Sequence, residues 1–166
     1  LGAGRIDAVS FTAVRLISGG VVLLLLAGPK RARSHGTSVA ALALLLYMVA
    51  FSWAYLRIGA AMGALLLLGA VQVTMLTAAV RREQRPGPRI WLGLVAGLGG
   101  LALLLAPGAG APDAWGALSM LGAGVAWGSY SLLGRGARDA LGATAGNFTR
   151  ASGPAVLLYG GTGLWG

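Results

Sequence analysis

The sequence predicts an all-α protein, a polytopic transmembrane helical bundle with about six spans. Three observations lead to this prediction. The chain is 57% hydrophobic and only 10% charged, it contains several long uncharged runs, and its basic residues collect between those runs. A helix rises ~1.5 Å per residue, so a run of about 20 apolar residues crosses the roughly 30 Å hydrocarbon core of a bilayer.

The clearest span is the run 58–80, which holds 23 consecutive residues without a charge. Arg81 and Arg82 follow it directly. Applied along the chain, the same criterion places six spans, at 8–27, 36–56, 58–80, 90–112, 114–134 and from 143 onward. Only Arg57 and a turn at Gly59 separate the second span from the third, which predicts a tight antiparallel hairpin.

The distribution of basic residues predicts which ends of the spans face the cytoplasm. Nine of the 13 basic residues lie in three loops, at 28–37, 81–89 and 135–142. The opposite side holds only Arg5 and Arg57. Because Lys and Arg near span ends are retained on the cytoplasmic side, we expect the three basic loops there. The net charge of +9 then reflects topology, and nucleic acid is not expected as a partner.

The composition offers little for catalysis. The chain has no cysteine and a single histidine, His35. Its four acidic residues all lie in loops or at span ends, at Asp7, Glu83, Asp113 and Asp139. Chemistry within a membrane needs paired carboxylates, a nucleophile with a base, or a metal. We therefore expect no enzymatic activity, no metal and no cofactor. No nucleotide-binding Gly-rich Lys motif occurs, which favours secondary transport over an ATP-driven pump.

Two polar residues inside spans are candidates for lining a substrate cavity. Arg15 lies in the first span, on a helical face that it shares with Thr12 and Ser18. Gln72 lies midway along the span 58–80, where hydrocarbon cannot satisfy a carboxamide. Each residue also has a structural interpretation, because an arginine can extend its head group to the membrane surface and a glutamine can bond another helix.

Aromatic residues provide three further candidates, Tyr47, Trp127 and Tyr130. Tyr47 begins a stripe at i, i+4 and i+8 that continues with Phe51 and Tyr55, for which packing or an interfacial belt is the alternative. Trp127 and Tyr130 share a helical face and combine apolar rings with polar tips, as a small-molecule pocket requires. We expect Trp127 and Gln72 to line one central cavity.

Five short segments together carry a resemblance to a known family. They are FTAVRLISG in the first span, FSWAY at 51–55, GAVQVTM at 69–75, WGSYS at 127–131 and NFTR at 147–150. In order and spacing they resemble the EamA-type drug/metabolite transporter superfamily. Members of that family have ten helices in two five-helix repeats of opposite orientation, and this chain resembles helices two to seven.

The resemblance implies a division of the chain and a function. Residues 1–112 correspond to a first EamA-like repeat without its first helix, and residues 113–166 to the start of a truncated second repeat. The span with Arg15 then corresponds to the span with Arg150, whose guanidinium we interpret as structural because it lies close to the inner surface. The chain begins at Leu1 and ends within an apolar run, so we expect it to be a part of a longer protein.

The expected function is secondary transport, as an exporter of small metabolites or drug-like compounds. The expected partners are a small-molecule substrate and the lipid bilayer, and a homodimer is a further possibility. The location is a cell membrane, plasma or inner, and the ratio of twelve arginines to one lysine points to a bacterium with a GC-rich genome. The alternatives are a membrane scaffold that transports nothing and, less favoured, a membrane-embedded enzyme.

Overall fold

The computed structural model describes residues 8–82, 86–104 and 113–163, with the side chains of most of them. Every regular element in these ranges is an α-helix, which confirms the all-α class. The helices are α1 (Ala8–Ala27), α2 (Pro29–Ser34), α3 (Ser38–Ile58), α4 (Ala60–Arg81), α5 (Pro88–Leu104), α6 (Ala114–Leu133) and α7 (Ala140–Gly163). Within the described residues each of the six predicted spans coincides with one long helix, and the part of the fourth span at 105–112 lies outside them.

The prediction of a loop at 28–37 is wrong for the segment that forms α2. This helix begins after Gly28, which has a φ of 81°, and carries Pro29 in its first turn. Proline there costs no hydrogen bond, because the first N–H groups of a helix have no acceptor within it. The segment PKRARS is polar enough to read as a loop, but Ala32 is buried and anchors it against α7.

Polar residues at the ends of the apolar runs determine where three helices begin. The Thr37 hydroxyl accepts a hydrogen bond from Ala40 N (3.1 Å) at the start of α3. The Asp113 carboxylate accepts one from Gly116 N (2.7 Å), and Asp139 accepts one from Gly142 N (3.0 Å). Such caps satisfy backbone N–H groups that have no partner within the helix. The two aspartates therefore begin α6 and α7.

The helix α6 lies between α3 and α4 and packs closely on both. The turn between α3 and α4 is a single residue, Gly59, with a φ of 75°. Nevertheless the two helices contact α6 far more than each other, so the predicted tight hairpin is correct for the turn and wrong for the packing.

Small residues on α6 allow this close approach. A Cβ added at Gly124 would lie 2.5 Å from Ala70 Cβ, and one at Gly128 would lie 2.9 Å from Thr74 Cβ. At Gly63 of α4, an added Cβ would lie 2.7 Å from the Met120 methyl carbon. Gly93 and Gly97 of α5 have the same i, i+4 spacing as Gly124 and Gly128, but added Cβ atoms there would meet no atom within 4 Å. Spacing alone therefore does not separate glycines at helix contacts from exposed ones.

A further close contact joins α1 and α7, the helices of Arg15 and Arg150. A Cβ at Gly19 would lie 2.8 Å from the Phe148 ring, and the Ser152 hydroxyl donates to Leu16 O (3.3 Å). The largest fully buried apolar side chains in the described part of the chain come from four helices, at Leu16, Leu44, Leu66 and Met120.

The outer surface of the bundle is strongly apolar. Leu25 and Leu103 are 81% and 80% exposed, and many other large apolar side chains on the long helices are exposed as well. Two described helices, α3 and α4, are long and apolar enough to cross a membrane by length and composition, and Thr12–Ala27 is a shorter apolar helical segment.

Candidate functional site

Five aromatic side chains form a continuous row between α3 and α6, which we call the aromatic cluster: Tyr47, Phe51, Tyr55, Trp127 and Tyr130. The closest pair joins the two helices, with 4.7 Å between the ring centroids of Tyr47 and Trp127. Along α3 the centroid distances are 5.7 Å and 5.8 Å, and the two rings of α6 are 5.5 Å apart. These separations are within the range of favourable aromatic pairs.

The helical period explains why these rings meet. Residues three or four apart lie on one face of a helix, so the i, i+4, i+8 stripe of α3 and the i, i+3 pair of α6 each present one row of rings. The two rows are held in register by packing between their helices, where the Ser119 hydroxyl donates to Ala50 O (3.1 Å).

Arg15 of α1 joins this cluster through Phe51. Its guanidinium carbon lies 5.3 Å from the centroid of the Phe51 ring, at cation–π distance, and its Nη1 atom is buried. One helical turn earlier, the buried Thr12 hydroxyl donates to Ser52 Oγ at 2.7 Å. The segments FTAVR and FSWAY therefore contact each other directly. A guanidinium and two hydroxyl groups therefore lie beside the aromatic cluster.

The structure brings together four of the five predicted site residues and leaves Gln72 apart from them. Arg15, Tyr47, Trp127 and Tyr130 all belong to or contact the aromatic cluster. The side chain of Gln72 is exposed and lines a groove between α4 and α5. The expectation that it shares a central cavity with Trp127 is therefore not met by this arrangement.

The position of Gln72 follows from the packing of α4. Ala70 and Thr74 face the glycines of α6, and Gln72 lies two residues from each, on the opposite side of the helix. This groove has a volume of about 830 Å³. The aromatic rings do not line it. The cluster is thus a packed row of rings, while the open space lies on another face.

The acidic residues that the structure describes are helix caps and ion-pair partners. No group of three His, Asp or Glu residues among them could hold a metal ion. The two described aspartates lie at opposite ends of the bundle, each paired with an arginine. Asp113 is 3.2 Å from Arg57 and Asp139 is 3.1 Å from Arg31. Glu83 and Asp7 lie outside the described residues.

Hydrogen bonding lowers the pKa of both aspartates. The main cause for Asp113 is the backbone N–H of Gly116, with a further contribution from Arg57, partly offset by desolvation. For Asp139 the backbone N–H of Gly142 lowers the pKa most, again against desolvation, with Arg31 adding to it. Both carboxylates are therefore ionised at neutral pH and act as caps and ion-pair partners.

These ion pairs also establish which loops share an end of the bundle. The Arg31–Asp139 contact joins the predicted basic loops at 28–37 and 135–142. Arg89 and Arg135 line the same groove, which places the described part of the loop at 81–89 at this end too. Arg57 and Asp113 meet at the other end. The structure thus confirms that the described parts of the three basic loops lie together.

Arg150 acts on the backbone, as its structural interpretation predicted. Its Nη1 donates to His35 O (2.7 Å) and its Nη2 to Arg33 O (3.3 Å). On the same face of α7, buried Asn147 accepts a hydrogen bond from Thr37 N (2.9 Å). The NFTR segment therefore holds the turn between α2 and α3 through hydrogen bonds. Asn147 was not among the predicted site residues, although an asparagine within an apolar span is a signal for a buried polar contact.

Comparison with known proteins shows similarity to a bacterial protein. The chain is 52% identical over 156 residues to an uncharacterized protein of Pseudomonas aeruginosa. The match covers 92% of this chain and 54% of the relative, so the chain spans about half the length of the relative. No family profile matches the sequence. No solved structure matches it.

Proposed function

We propose that the chain belongs to a multi-pass membrane protein, located in the plasma or inner membrane of a bacterium. The support is the apolar outer surface. Soluble monomers seldom expose contiguous apolar patches larger than a few hundred Å², whereas here side chains such as Leu92 (71%) and Leu118 (59%) are largely exposed on different helices. In a bilayer, lipid tails would cover these apolar side chains. The described basic segments, which lie together at one end of the bundle, then face the cytoplasm.

We further propose that the full-length protein is a secondary transporter of the EamA type, which exports small metabolites or drug-like compounds. The observation that carries this proposal is the position of the aromatic cluster with Arg15. Arg15 is the eighth of 20 residues in α1, Tyr47 the tenth of 21 in α3, and Trp127 the fourteenth of 20 in α6. Polar and aromatic groups near mid-helix are where secondary transporters hold their substrates.

The contact between α1 and α7 is consistent with the inverted repeats of that family. In the proposed division, residues 1–112 belong to one repeat and residues 113–166 to the next, and α1 and α7 are equivalent helices. They pack directly against each other, with Gly19 beneath Phe148. A direct contact between equivalent helices is expected close to the axis that relates two repeats.

The chemistry of the cluster suggests the class of substrate. A row of aromatic rings favours a planar apolar group, and the guanidinium beside Phe51 favours a substrate that also carries an acceptor or an anionic group. The competing proposal is a scaffold that transports nothing, which is supported by the dense packing of the rings and by the satisfied Thr12–Ser52 pair. Measured flux separates these two proposals.

The test uses the full-length protein in proteoliposomes with a panel of planar amphiphilic compounds, and two variants of the same helix. Trp127→Ala removes a ring of the cluster, while Trp115→Ala removes a ring that is 69% exposed and outside it. A lost ring contact worth ~0.5–1.5 kcal/mol weakens substrate affinity roughly 2- to 12-fold. We expect this loss for Trp127→Ala alone. Absence of flux for every compound in well-folded wild-type protein would favour the scaffold.

A further inference from the structure

The groove between α4 and α5 has the character of a ligand site that the proposed transport does not use. Its volume is about 830 Å³, and of the described helices α5 packs only against α4. The residues that define its two ends and its middle are Arg89, Arg135, Gln72, Gly97 and Gly100.

The polar groups of the groove are concentrated towards one end. Arg89 lies in the first turn of α5, and Arg135 lies in the turn after α6, at the basic end of the bundle. Apart from these two and Gln72, the described lining consists of apolar side chains and glycines, and none of it is acidic. A ligand that matches this distribution has an anionic head and a long apolar body.

The length of the groove matches one leaflet of a membrane. From Arg89 to Gly100 the helix α5 advances 11 residues, which is ~16 Å at 1.5 Å per residue. Half of a hydrocarbon core of about 30 Å is ~15 Å. An acyl chain that begins at the basic end would therefore reach the bilayer centre beside Gly100.

Glycines leave the apolar part of the groove open. A Cβ added at Gly93, Gly97 or Gly100 would meet no atom within 4 Å. These glycines therefore do not serve close packing between described helices, unlike Gly124 and Gly128 of α6. They leave a smooth wall against which a flexible chain can lie.

We propose that this groove binds an anionic phospholipid, with its phosphate between Arg89 and Arg135 and one acyl chain along α4 and α5. Basic pockets between transmembrane helices on the cytoplasmic side are typical sites for anionic head groups, and guanidinium groups bind phosphate oxygens strongly. The inference rests on the membrane placement proposed above and does not depend on transport.

The test measures lipid binding to the full-length protein in detergent micelles by native mass spectrometry. The two probes are phosphatidylglycerol and phosphatidylcholine with identical acyl chains, at equal concentration. Near a membrane surface each arginine contributes on the order of a fivefold gain in affinity for an anionic lipid. We expect clear preference for phosphatidylglycerol, and affinity roughly 30-fold weaker in the double variant Arg89→Gln/Arg135→Gln.

Two matched controls distinguish lipid binding in the groove from general electrostatic attraction of anionic lipids to the basic end of the protein. Lys30→Gln/Arg138→Gln removes the same charge at the same end of the bundle, from exposed residues that do not line the groove. It should leave the preference within about twofold of wild type. Gly97→Leu narrows the groove, whereas Gly99→Leu places the same side chain on the same helix outside the lining. Only Gly97→Leu should weaken binding of both lipids.

Three outcomes would refute the proposal. The first is equal binding of the two lipids, and the second is an equal loss in both double charge variants, which would show diffuse electrostatic attraction. The third is binding of neither lipid by folded protein, as expected if another segment of the full-length protein covers the groove. Extraction from membranes is recorded during purification, and flux is measured after reconstitution of the same protein into proteoliposomes, so a failure of the membrane or transport proposals is seen independently.

Discussion

The close packing of α6 on α4 makes a sharp prediction for a single added methyl group. In Gly124→Ala, the new Cβ would lie 2.5 Å from Ala70 Cβ and 2.7 Å from Leu67 O. The second contact is to backbone, so no side-chain rotation relieves it and the helices must separate. Overpacking of this kind costs typically ~1–3 kcal/mol.

Gly122 provides the matched control on the same helix. It is exposed, and a Cβ there would meet no atom within 4 Å. Both substitutions gain the same helix propensity of up to ~1 kcal/mol, so the difference between them isolates the packing cost. Each kcal/mol corresponds to ~2–4 °C in Tm for 150–250 residues and to less in a longer protein, which predicts a Tm up to roughly 12 °C lower for Gly124→Ala than for Gly122→Ala.

The assay is thermal unfolding of the purified full-length protein in detergent, followed by size-exclusion chromatography of heated samples. Equal Tm values for the two variants would refute the α4–α6 interface described above. A lower Tm for Gly122→Ala would do so as well, because it would place the exposed face of α6 in the core.

Three further predictions concern single polar contacts. Thr12→Val loses the buried hydrogen bond to α3 and should lower the unfolding free energy by about 0.6 and at most ~1.7 kcal/mol, whereas Thr12→Ser should retain it. Arg150→Gln releases the turn at 33–37, so its amide hydrogen exchange should become faster, while Arg138→Gln should leave that exchange unchanged. The pKa of Asp139 is lower in the folded chain than the ordinary carboxyl pKa of 3.8, so its ionised carboxylate stabilises the fold fully above pH 3.8. This stabilisation is lost as the pH falls through the pKa of the folded state, and the Tm difference between wild type and Asp139→Asn should shrink over the same range.

The sequence was sufficient to locate the long helices, because hydropathy and loop charge act locally along the chain. The span predicted at 8–27 is α1 residue for residue, and the other five agree within a few residues where they are described. The aromatic stripe at Tyr47, Phe51 and Tyr55 was equally predictable from the helical period. Each of these features depends on residues near one another in sequence.

Features that depend on the rotation of one helix against another were not predictable in this way. Gln72 lies at mid-helix as expected, but its direction is determined by the side of α4 that the small residues of α6 approach. At a content of 29 glycines, spacing did not reveal that Gly124 and Gly128 form a contact while Gly93 and Gly97 do not. The hydrogen bond between Thr37 and Asn147 was not predictable from local sequence either, because the two residues are 110 positions apart.

The central claim is that these helices cross a membrane with the basic loops in the cytoplasm, and cysteine labelling tests it most directly. The chain has no native cysteine, so each introduced thiol is the only one from this part of the protein. Ala60→Cys lies at the end with Arg57, and Arg138→Cys lies at the opposite, basic end. With an impermeant thiol reagent on intact cells, we predict labelling of Ala60→Cys, and labelling of Arg138→Cys only after permeabilisation. Equal labelling of both in intact cells, or recovery of the protein in the soluble fraction, would contradict the account.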